Sequence, residues 1–177
     1  MNKRLQDCLN YFVLNWEGTA CEEVKDDPGG RTKCGIIQTT YDAHRKAKGL
    51  PLQSVCLLSD EEMNSIYEHN YWNTCGANSY PAQLDLCMFD IAVNMGTGQA
   101  VKMLRSIFGM SPGTIVTPEL LAAVGKTKDI KTVCNKLLEL RRERYHLLVN
   151  KNPKLGKFLN GWLARVSALQ IKIDRME

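Results

Sequence analysis

The chain has 177 residues, 44% of them hydrophobic, and a net charge of +4. A chain of this length can bury a core without metal or disulfide staples, which excludes the small disulfide-rich class. No apolar run reaches the ~18 residues of a membrane-spanning helix, and Asp7, Asn10 and Asn15 interrupt the apolar residues near the N-terminus. We therefore expect no membrane insertion, no export signal and synthesis in the cytoplasm.

The seven cysteines are scattered, form no C-x-x-C pair and have no histidine at ligand spacing. This spacing argues against a zinc site, and the odd number argues against a complete disulfide framework. We expect buried or neutral thiols, no metal and no cofactor. The histidines at positions 44, 69 and 146 are dispersed and are predicted to lie on the surface, and no grouping indicates a nucleophilic triad.

Charge is unevenly distributed along the chain. Residues 1–100 carry a net charge of about −5, whereas residues 101–177 carry about +9. A basic C-terminal part suggests an anionic partner such as nucleic acid, anionic lipid or the bacterial wall. A solvated basic helix face explains the same asymmetry equally well.

Almost every periodic segment predicts a helix, so the predicted class is mainly α. A first helix over about 3–16 places its apolar residues at three- and four-residue steps. The stretch that follows contains Gly29, Gly30 and Gly35, which favour turns and a small hairpin. Residues 38–48 are predicted to form a short helix.

Capping residues mark several of the later helices. Ser59 and Glu62 have the spacing of a capping box, and Thr117 is predicted to cap a helix that begins at Pro118. Pro81 is predicted to begin a helix that is apolar nearly all round and therefore central. The remaining predicted helices are an amphipathic one ending at Gly109 and two longer ones, over 129–149 and 154–175.

The acidic stretch after the first helix has the residue types that glycosidic bond cleavage requires. Glu17 follows that helix and precedes Asp26, Asp27 and Thr32. Cleavage needs an acid that protonates the leaving oxygen and a second group, from another element, that stabilises or attacks the cationic centre. Glu17, beside the apolar Trp16, is the candidate acid. Spacing alone leaves open an exposed loop of acids and glycines.

Five motifs in order resemble the glycoside hydrolase family 108 muramidases, and the resemblance covers residues 10–168. It is carried by "WEG" with "DPGGRTKCGIIQTTYDAHRKAKGLP", "SDEEMNSIYEHNYW", "FDIAVNMGTGQAVKMLRSIFG", "TIVTPELLAAV" and "KFLNGWLARV". The resemblance implies a lysozyme-like helical domain with a small hairpin or Gly-rich loop after the first helix. It also implies hydrolysis of the β-1,4 bond after N-acetylmuramic acid in peptidoglycan.

Carried over by position, the resemblance makes Glu17 the catalytic glutamate and Thr32 its threonine. The D-P-G-G match selects Asp27 as the second acid, whereas the spacing from Glu17, as in phage-type lysozymes, selects Asp26, so both remain candidates. Asn94 and Gly96 match the segment that lines the family's cleft. The chain departs from the family in the loop after Glu17, which is one residue longer.

Two further pairs of residues are ambiguous between binding and packing. Tyr71 and Trp72 lie at a helix end, where an aromatic pair either stacks on sugar rings or belongs to the core. Asp90 and Asn94 lie four residues apart on one helix face, so they form either a structural network or a cleft wall. We favour Asn94 as a substrate contact.

We expect residues 1–109 to form the catalytic region and residues 110–177 a helical region, packed with it in one unit; whether that region binds peptidoglycan is left open by the sequence. The predicted protein is a monomeric lysozyme or endolysin that acts on the wall after release and binds no nucleic acid. A non-catalytic wall-binding or secretion-associated protein of the same fold is the first alternative. A basic helical nucleic-acid binder is the second.

Overall fold

The computed structural model describes residues 2–23 and 31–176. Asp26 and Asp27, and the glycines predicted to turn the chain at 29 and 30, lie outside the described residues. The chain divides into two compact units, Met1–Asn70 and Tyr71–Glu177. The predicted division after residue 109 stays a prediction.

The first unit begins with a helix in three parts. They are α1 (Lys3–Cys8), a π-helical turn (Leu9–Val13) and α2 (Leu14–Glu17). Asn2 caps the start, since its side-chain oxygen accepts from the backbone N–H groups of Arg4 and Leu5. The predicted apolar face is buried, and its buried members are Leu5, Cys8, Leu9, Phe12 and Val13.

A small antiparallel sheet follows, which confirms the predicted hairpin. Its strands are β1 (Cys21–Glu23), β2 (Arg31–Lys33) and β3 (Ile36–Ile37), paired in the order β1-β2-β3. The β2–β3 turn is tight: Cys34 and Gly35 both have positive φ, at 52° and 71°. Glycine adopts this conformation without strain, whereas Cys34 is a non-glycine residue held there.

A disulfide ties the sheet to the segment that precedes the helix beginning at Asp60. Cys21 on β1 is bonded to Cys56, and the Cα atoms lie 5.3 Å apart. Lys33 on β2 reinforces the link by donating to the carbonyl oxygens of Cys56 and Leu58, at 3.1 and 3.0 Å. The expectation of unpaired thiols is therefore wrong for these two cysteines, because chain folding joins positions 35 residues apart. The other five cysteines are buried and form no disulfide.

Two helices complete the first unit, α3 (Gln38–Ala47) and α4 (Asp60–Tyr67). The predicted capping box is confirmed, with reciprocal hydrogen bonds between Ser59 and Glu62. The Glu62 carboxylate also accepts from the Tyr41 hydroxyl at 2.6 Å and pairs with Arg45 at 2.5 Å, so it joins α3 to α4. Burial alone would raise the pKa of Glu62, but the hydrogen bond from Tyr41 and the charge of Arg45 hold it below its usual value.

The second unit is built around α5 (Leu84–Met95), whose residues Leu84–Ala92 are all buried. This confirms the predicted central helix, although α5 begins three residues after Pro81. The reason is the backbone of Gln83, whose φ of 78° is not helical. The other helices are α6 (Thr97–Ile107), α7 (Pro118–Gly125), α8 (Ile130–Lys151) and α9 (Gly156–Asp174).

Helix α5 packs against α6 and α8, and α8 packs along α9. The predicted cap of α7 is confirmed, because the Thr117 hydroxyl oxygen accepts from the backbone N–H of Leu120 at 3.3 Å. Helices therefore pack around α5 in the core of this unit. This burial is expected because α5 has no polar face to present to water.

Candidate active site

Glu17 lies at the point where the first helix ends. Gly18, the next residue, has φ 74° and ψ 171°, and its N–H donates to the carbonyl oxygen of Leu14 at 2.9 Å. The chain therefore leaves the helix directly after Glu17 and enters β1 at Cys21. The Glu17 side chain is half-buried at this junction.

The turn between β2 and β3 lies against Glu17. A Cβ atom placed on Gly35 would stand 2.9 Å from Glu17 Oε2 and 3.0 Å from Glu17 Cβ. It would also stand 3.0 Å from the hydroxyl oxygen of Tyr67. Only glycine leaves room for both side chains at this position.

Tyr67 holds the turn in place from the last residue of α4. Its side chain is buried, and its hydroxyl donates to the carbonyl oxygen of Cys34 at 2.7 Å. Three elements, α2, the β2–β3 turn and α4, therefore meet at the Glu17 carboxylate. Sequence reasoning named Gly35 only as a turn residue and did not name Tyr67, although they lie in the "CGI" and "SIY" parts of the quoted motifs.

Thr32, the second predicted catalytic residue in the described part of the chain, is in the middle of β2. It is half-buried and pairs with Glu22 on β1 and Ile37 on β3. Thr32 and Gly35 thus belong to the same short hairpin, and Gly35 carries that hairpin against Glu17. In sequence, Asp26 and Asp27 connect β1 to β2.

Clefts open on the described part of the first unit. One cleft has a volume of about 420 Å³. It is lined by residues near the meeting point of Glu17, Gly35 and Tyr67, including Leu14, Thr19 and Cys34. A second cleft, of about 540 Å³, lies between α3 and α4 and is lined by His44, Lys48, His69 and neighbouring small polar residues.

His44 departs from the surface position predicted for it. It is half-buried, and its Nε2 atom is enclosed and has no hydrogen-bond partner among the described residues. Burial lowers its pKa, and the neighbouring charge of Lys48 lowers it further. His69 and His146 are exposed, as predicted.

The remaining predicted site residues belong to the second unit. Trp72 is buried and packs edge-on against Phe89, with ring centroids 5.2 Å apart, which is the core position that the sequence left as its alternative. Tyr71 is half-buried at the start of the unit. Gly96 is exposed and ends α5 with φ 88°.

Asn94, the second-to-last residue of α5, is half-buried and accepts a hydrogen bond from the Tyr145 hydroxyl on α8. Asp90, one turn earlier, is fully buried and pairs with Arg141 and Arg165. Asp90 therefore belongs to a structural network, whereas the role of Asn94 as a substrate contact stays a prediction.

Within residues 2–23 and 31–176, no three His, Cys, Asp or Glu side chains are grouped as a metal site would require. In the same residues, no helix has the length and apolarity needed to cross a bilayer.

The family model described as Glycosyl hydrolase 108 matches residues 11–96. The match contains Glu17, Gly35 and Tyr67, which come together at the end of the first helix, and also Thr32 on β2. The resemblance of the motifs is confirmed over this range. The family is one of glycoside hydrolases. The match therefore supports the predicted enzyme class, glycoside hydrolase.

The fold is also similar to a solved structure, that of Brucella abortus SagA. The two chains are 27% identical, with a TM-score of 0.78, and the match covers 96% of this chain and 93% of that chain. The predicted fold class, mainly α and lysozyme-like with a small hairpin after the first helix, is confirmed. No curated protein sequence matches the chain significantly.

Proposed function

We propose that the protein is a peptidoglycan hydrolase that cleaves the β-1,4 bond between N-acetylmuramic acid and N-acetylglucosamine, with Glu17 as general acid. The observation that carries the proposal is the junction of α2, the Gly35 turn and Tyr67 around the Glu17 carboxylate, inside residues that match a glycoside hydrolase family.

The chemistry assigns a clear task to this carboxyl group. A protonated Glu17 gives its proton to the glycosidic oxygen as the bond to the anomeric carbon breaks, and positive charge develops on the sugar that remains. Water then adds to that carbon and loses a proton. Packing against the Gly35 backbone fixes the carboxyl group, so little of the transition-state energy is spent on orienting it.

Thr32 and one of the two aspartates complete the proposed site. In this role they hold the attacking water or stabilise the cationic centre from the hairpin side. Support for Thr32 comes from its place on β2, three residues before the turn that contacts Glu17. Replacement of Asp26 and Asp27 by asparagine, one at a time, identifies the acting aspartate as the one whose loss lowers the rate.

Peptidoglycan as the partner agrees with the charge of the chain. Residues 101–177 carry a net charge of about +9, and a basic surface attracts the anionic bacterial wall. The Cys21–Cys56 disulfide favours an oxidising compartment such as the cell envelope as the place of action. We propose that the protein acts there as a monomer after release, without stable insertion into the membrane.

The experiment that tests this function is the digestion of purified sacculi, with mass spectrometry of the released fragments. The expected products are disaccharide-peptides that end in a reducing N-acetylmuramic acid. Products with an anhydro end would mean that a sugar hydroxyl replaces water as the attacking group. Binding to sacculi without release of any fragment would favour the non-catalytic alternative, and retention on DNA without binding to sacculi would favour the nucleic-acid binder.

A further inference from the structure

The cleft between α3 and α4 contains groups that the proposed hydrolysis does not use. Its volume is about 540 Å³, and it lies entirely within the first unit. A volume of this size is typical of pockets for small ligands. The lining comes from one face of α3, from Ser65 on α4 and from the π-helical turn Glu68–Trp72 that continues α4. The ion pair between Arg45 and Glu62 joins the two helices, so the walls of the cleft are tied together.

The charge of the lining favours an anion. Residues 1–70 carry 8 Lys and Arg against 11 Asp and Glu, a net charge of about −3. Among the described residues, however, the cleft is lined by Lys48 and by no Asp or Glu. The Lys48 ammonium donates to the Ser65 hydroxyl oxygen at 3.2 Å. An ammonium has three donors, so two are left for a ligand.

His44 adds an uncharged donor to the same lining. Its Nε2 atom is enclosed, whereas Nδ1 is not, so Nδ1 is the ring nitrogen that a ligand in the cleft can reach. Burial lowers the pKa of His44, and the charge of Lys48 lowers it further. The other groups that face it are His69 and Arg45, which act in the same direction, and Glu62, which opposes them. The ring is therefore neutral at pH 7 and carries one proton, which an acceptor in the cleft draws to Nδ1.

The kind of anion follows from the rest of the lining. A metal ion is disfavoured because Lys48 repels a cation and because no carboxylate or thiolate of the described residues lines the cleft. A single positive charge matches a carboxylate, whereas a phosphate monoester carries close to two negative charges at pH 7. Ala43 and Ala47 supply an apolar surface beside Lys48. A carboxylate next to a small apolar side chain therefore fits this cleft.

We propose that the cleft between α3 and α4 binds the C-terminal carboxylate of a short peptide with small side chains, with Lys48 as its counter-charge and His44 Nδ1 as a hydrogen-bond donor. The amide of Asn70, which also lines the cleft, pairs with a peptide group of the same ligand. The inference rests on the proposed function for the source of the ligand, because the peptides attached to the sugar chain of peptidoglycan carry free carboxylates. In this role the site holds the peptide part of the wall, whereas Glu17 acts on the sugar part.

The test compares two dipeptides as ligands of the wild-type protein. The probes are N-acetyl-D-alanyl-D-alanine and the same dipeptide with a C-terminal amide, and binding is followed through the backbone amide signals in NMR titrations. Neither probe has a glycosidic bond, so the proposed chemistry does not consume them. We expect the acid to bind about tenfold more tightly than the amide, because only the acid has a charge for Lys48 to pair with. The signals that shift should be those of α3 and α4.

Variants of the lining test the two assigned residues. Lys48→Gln should weaken binding of the acid about tenfold and leave binding of the amide unchanged, whereas Lys48→Arg should retain most of the affinity. His44→Phe should weaken binding of the acid about threefold, since it removes one neutral donor. Lys46→Gln is the matched control, because Lys46 is exposed on the same helix and does not line the cleft. Lys48 is also exposed, so thermal unfolding of Lys48→Gln should be that of the wild type.

Three results would overturn the inference. The first is equal binding of the acid and the amide, and the second is an equal loss of affinity in Lys48→Gln and Lys46→Gln. The third is tighter binding of inorganic phosphate than of the acid with the same dependence on Lys48, which would make the cleft a phosphate site. Failure of the proposed function is a separate outcome, because the wild-type protein would then release no fragments from sacculi while it still distinguished the two dipeptides.

Discussion

Gly35 leaves the space that the Glu17 carboxylate occupies: a Cβ on residue 35 would stand 2.9 Å from Glu17 Oε2. The relationship joins a helix end to a hairpin turn whose φ of 71° already favours glycine. The same turn is held from the other side by the Tyr67 hydroxyl. The position of the proposed acid therefore depends on residues that carry no charge.

Replacement of Gly35 by alanine should lower both stability and activity, through backbone strain at residue 35 and through contact of the added methyl group with Glu17. The positive φ alone costs about 1–2 kcal/mol of stability. The added methyl group also displaces the Glu17 carboxylate, and a misplacement of this kind lowers the catalytic rate about 100-fold. Initial rates of sacculus clearing and urea unfolding measure the two effects.

Gly49→Ala is the matched control for this change. Gly49 has a similar φ of 65°, but a Cβ there would meet no atom within 4 Å. We expect a similar loss of stability and no loss of activity. Equal activity losses in the two variants would show that the contact between Gly35 and Glu17 does not matter for catalysis.

Removal of the hydroxyl group should have different effects on the free energy of unfolding at two buried tyrosines, Tyr67 and Tyr80. Tyr67 donates to the Cys34 carbonyl, so Tyr67→Phe leaves a buried acceptor unpaired and should lower the free energy of unfolding by about 1–3 kcal/mol. The Tyr80 hydroxyl is buried and has no partner in the described part of the chain. Tyr80→Phe should therefore leave stability unchanged or raise it. Chemical denaturation of both variants checks the pair, and a larger loss for Tyr80→Phe would contradict it.

The Asp90 network should make stability depend on pH in the acid range. The folded pKa of Asp90 is lowered, so its contribution is fully present above the unfolded value of about 3.9 and is lost as pH falls from there towards the folded pKa. Asp90→Asn removes the carboxylate that pairs with the buried side chains of Arg141 and Arg165 and should cost about 3–5 kcal/mol at pH 7. The difference between the wild type and this variant should shrink below about pH 4.

Asp174→Asn provides the comparison at the surface. Asp174 pairs with Lys131 at 3.6 Å, and both side chains are nearly half exposed. Its loss should change the free energy of unfolding by less than about 1 kcal/mol. A similar cost for the two substitutions would show that the Asp90 pair is not the buried network described here.

Reduction of the Cys21–Cys56 disulfide should destabilise the protein without changing its buried thiols. The bond closes a loop of 35 residues, and opening a loop of that size costs about 3–4 kcal/mol in the chain-entropy account. Urea unfolding with and without dithiothreitol measures the change. The double variant Cys21→Ser, Cys56→Ser should have the same free energy of unfolding with and without dithiothreitol. If dithiothreitol still changed the stability of that variant, the effect would not come from the Cys21–Cys56 disulfide.

Local signals in the sequence predicted much of the fold. Ser59 with Glu62, and Thr117 with Pro118, marked helix starts because capping is decided by residues a few positions apart. The burial of α5 was predictable because apolar residues occupy nearly all of its faces, which is also a local property of the sequence. The start of α5 directly after Gln83 was not predicted, because glutamine has no preference for the positive φ that it adopts here.

Long-range contacts were not accessible in the same way. Cys21 and Cys56 are two among seven scattered cysteines, and their spacing along the chain does not show that β1 meets the segment before α4. The partners of Asp90 lie 51 and 75 residues away. For the site, the family motifs identified Glu17, whereas its contact with Gly35 is a property of the folded hairpin.

The central claim is most directly tested by the rate at which Glu17→Gln clears a suspension of purified sacculi. Glutamine keeps the shape of the side chain and cannot act as the acid, so the rate should fall by about 100- to 10,000-fold with unchanged thermal unfolding. Glu143→Gln, at an exposed position on α8, should clear the suspension at the wild-type rate. Clearing by Glu17→Gln at or near the wild-type rate would contradict the assignment of Glu17 as the general acid.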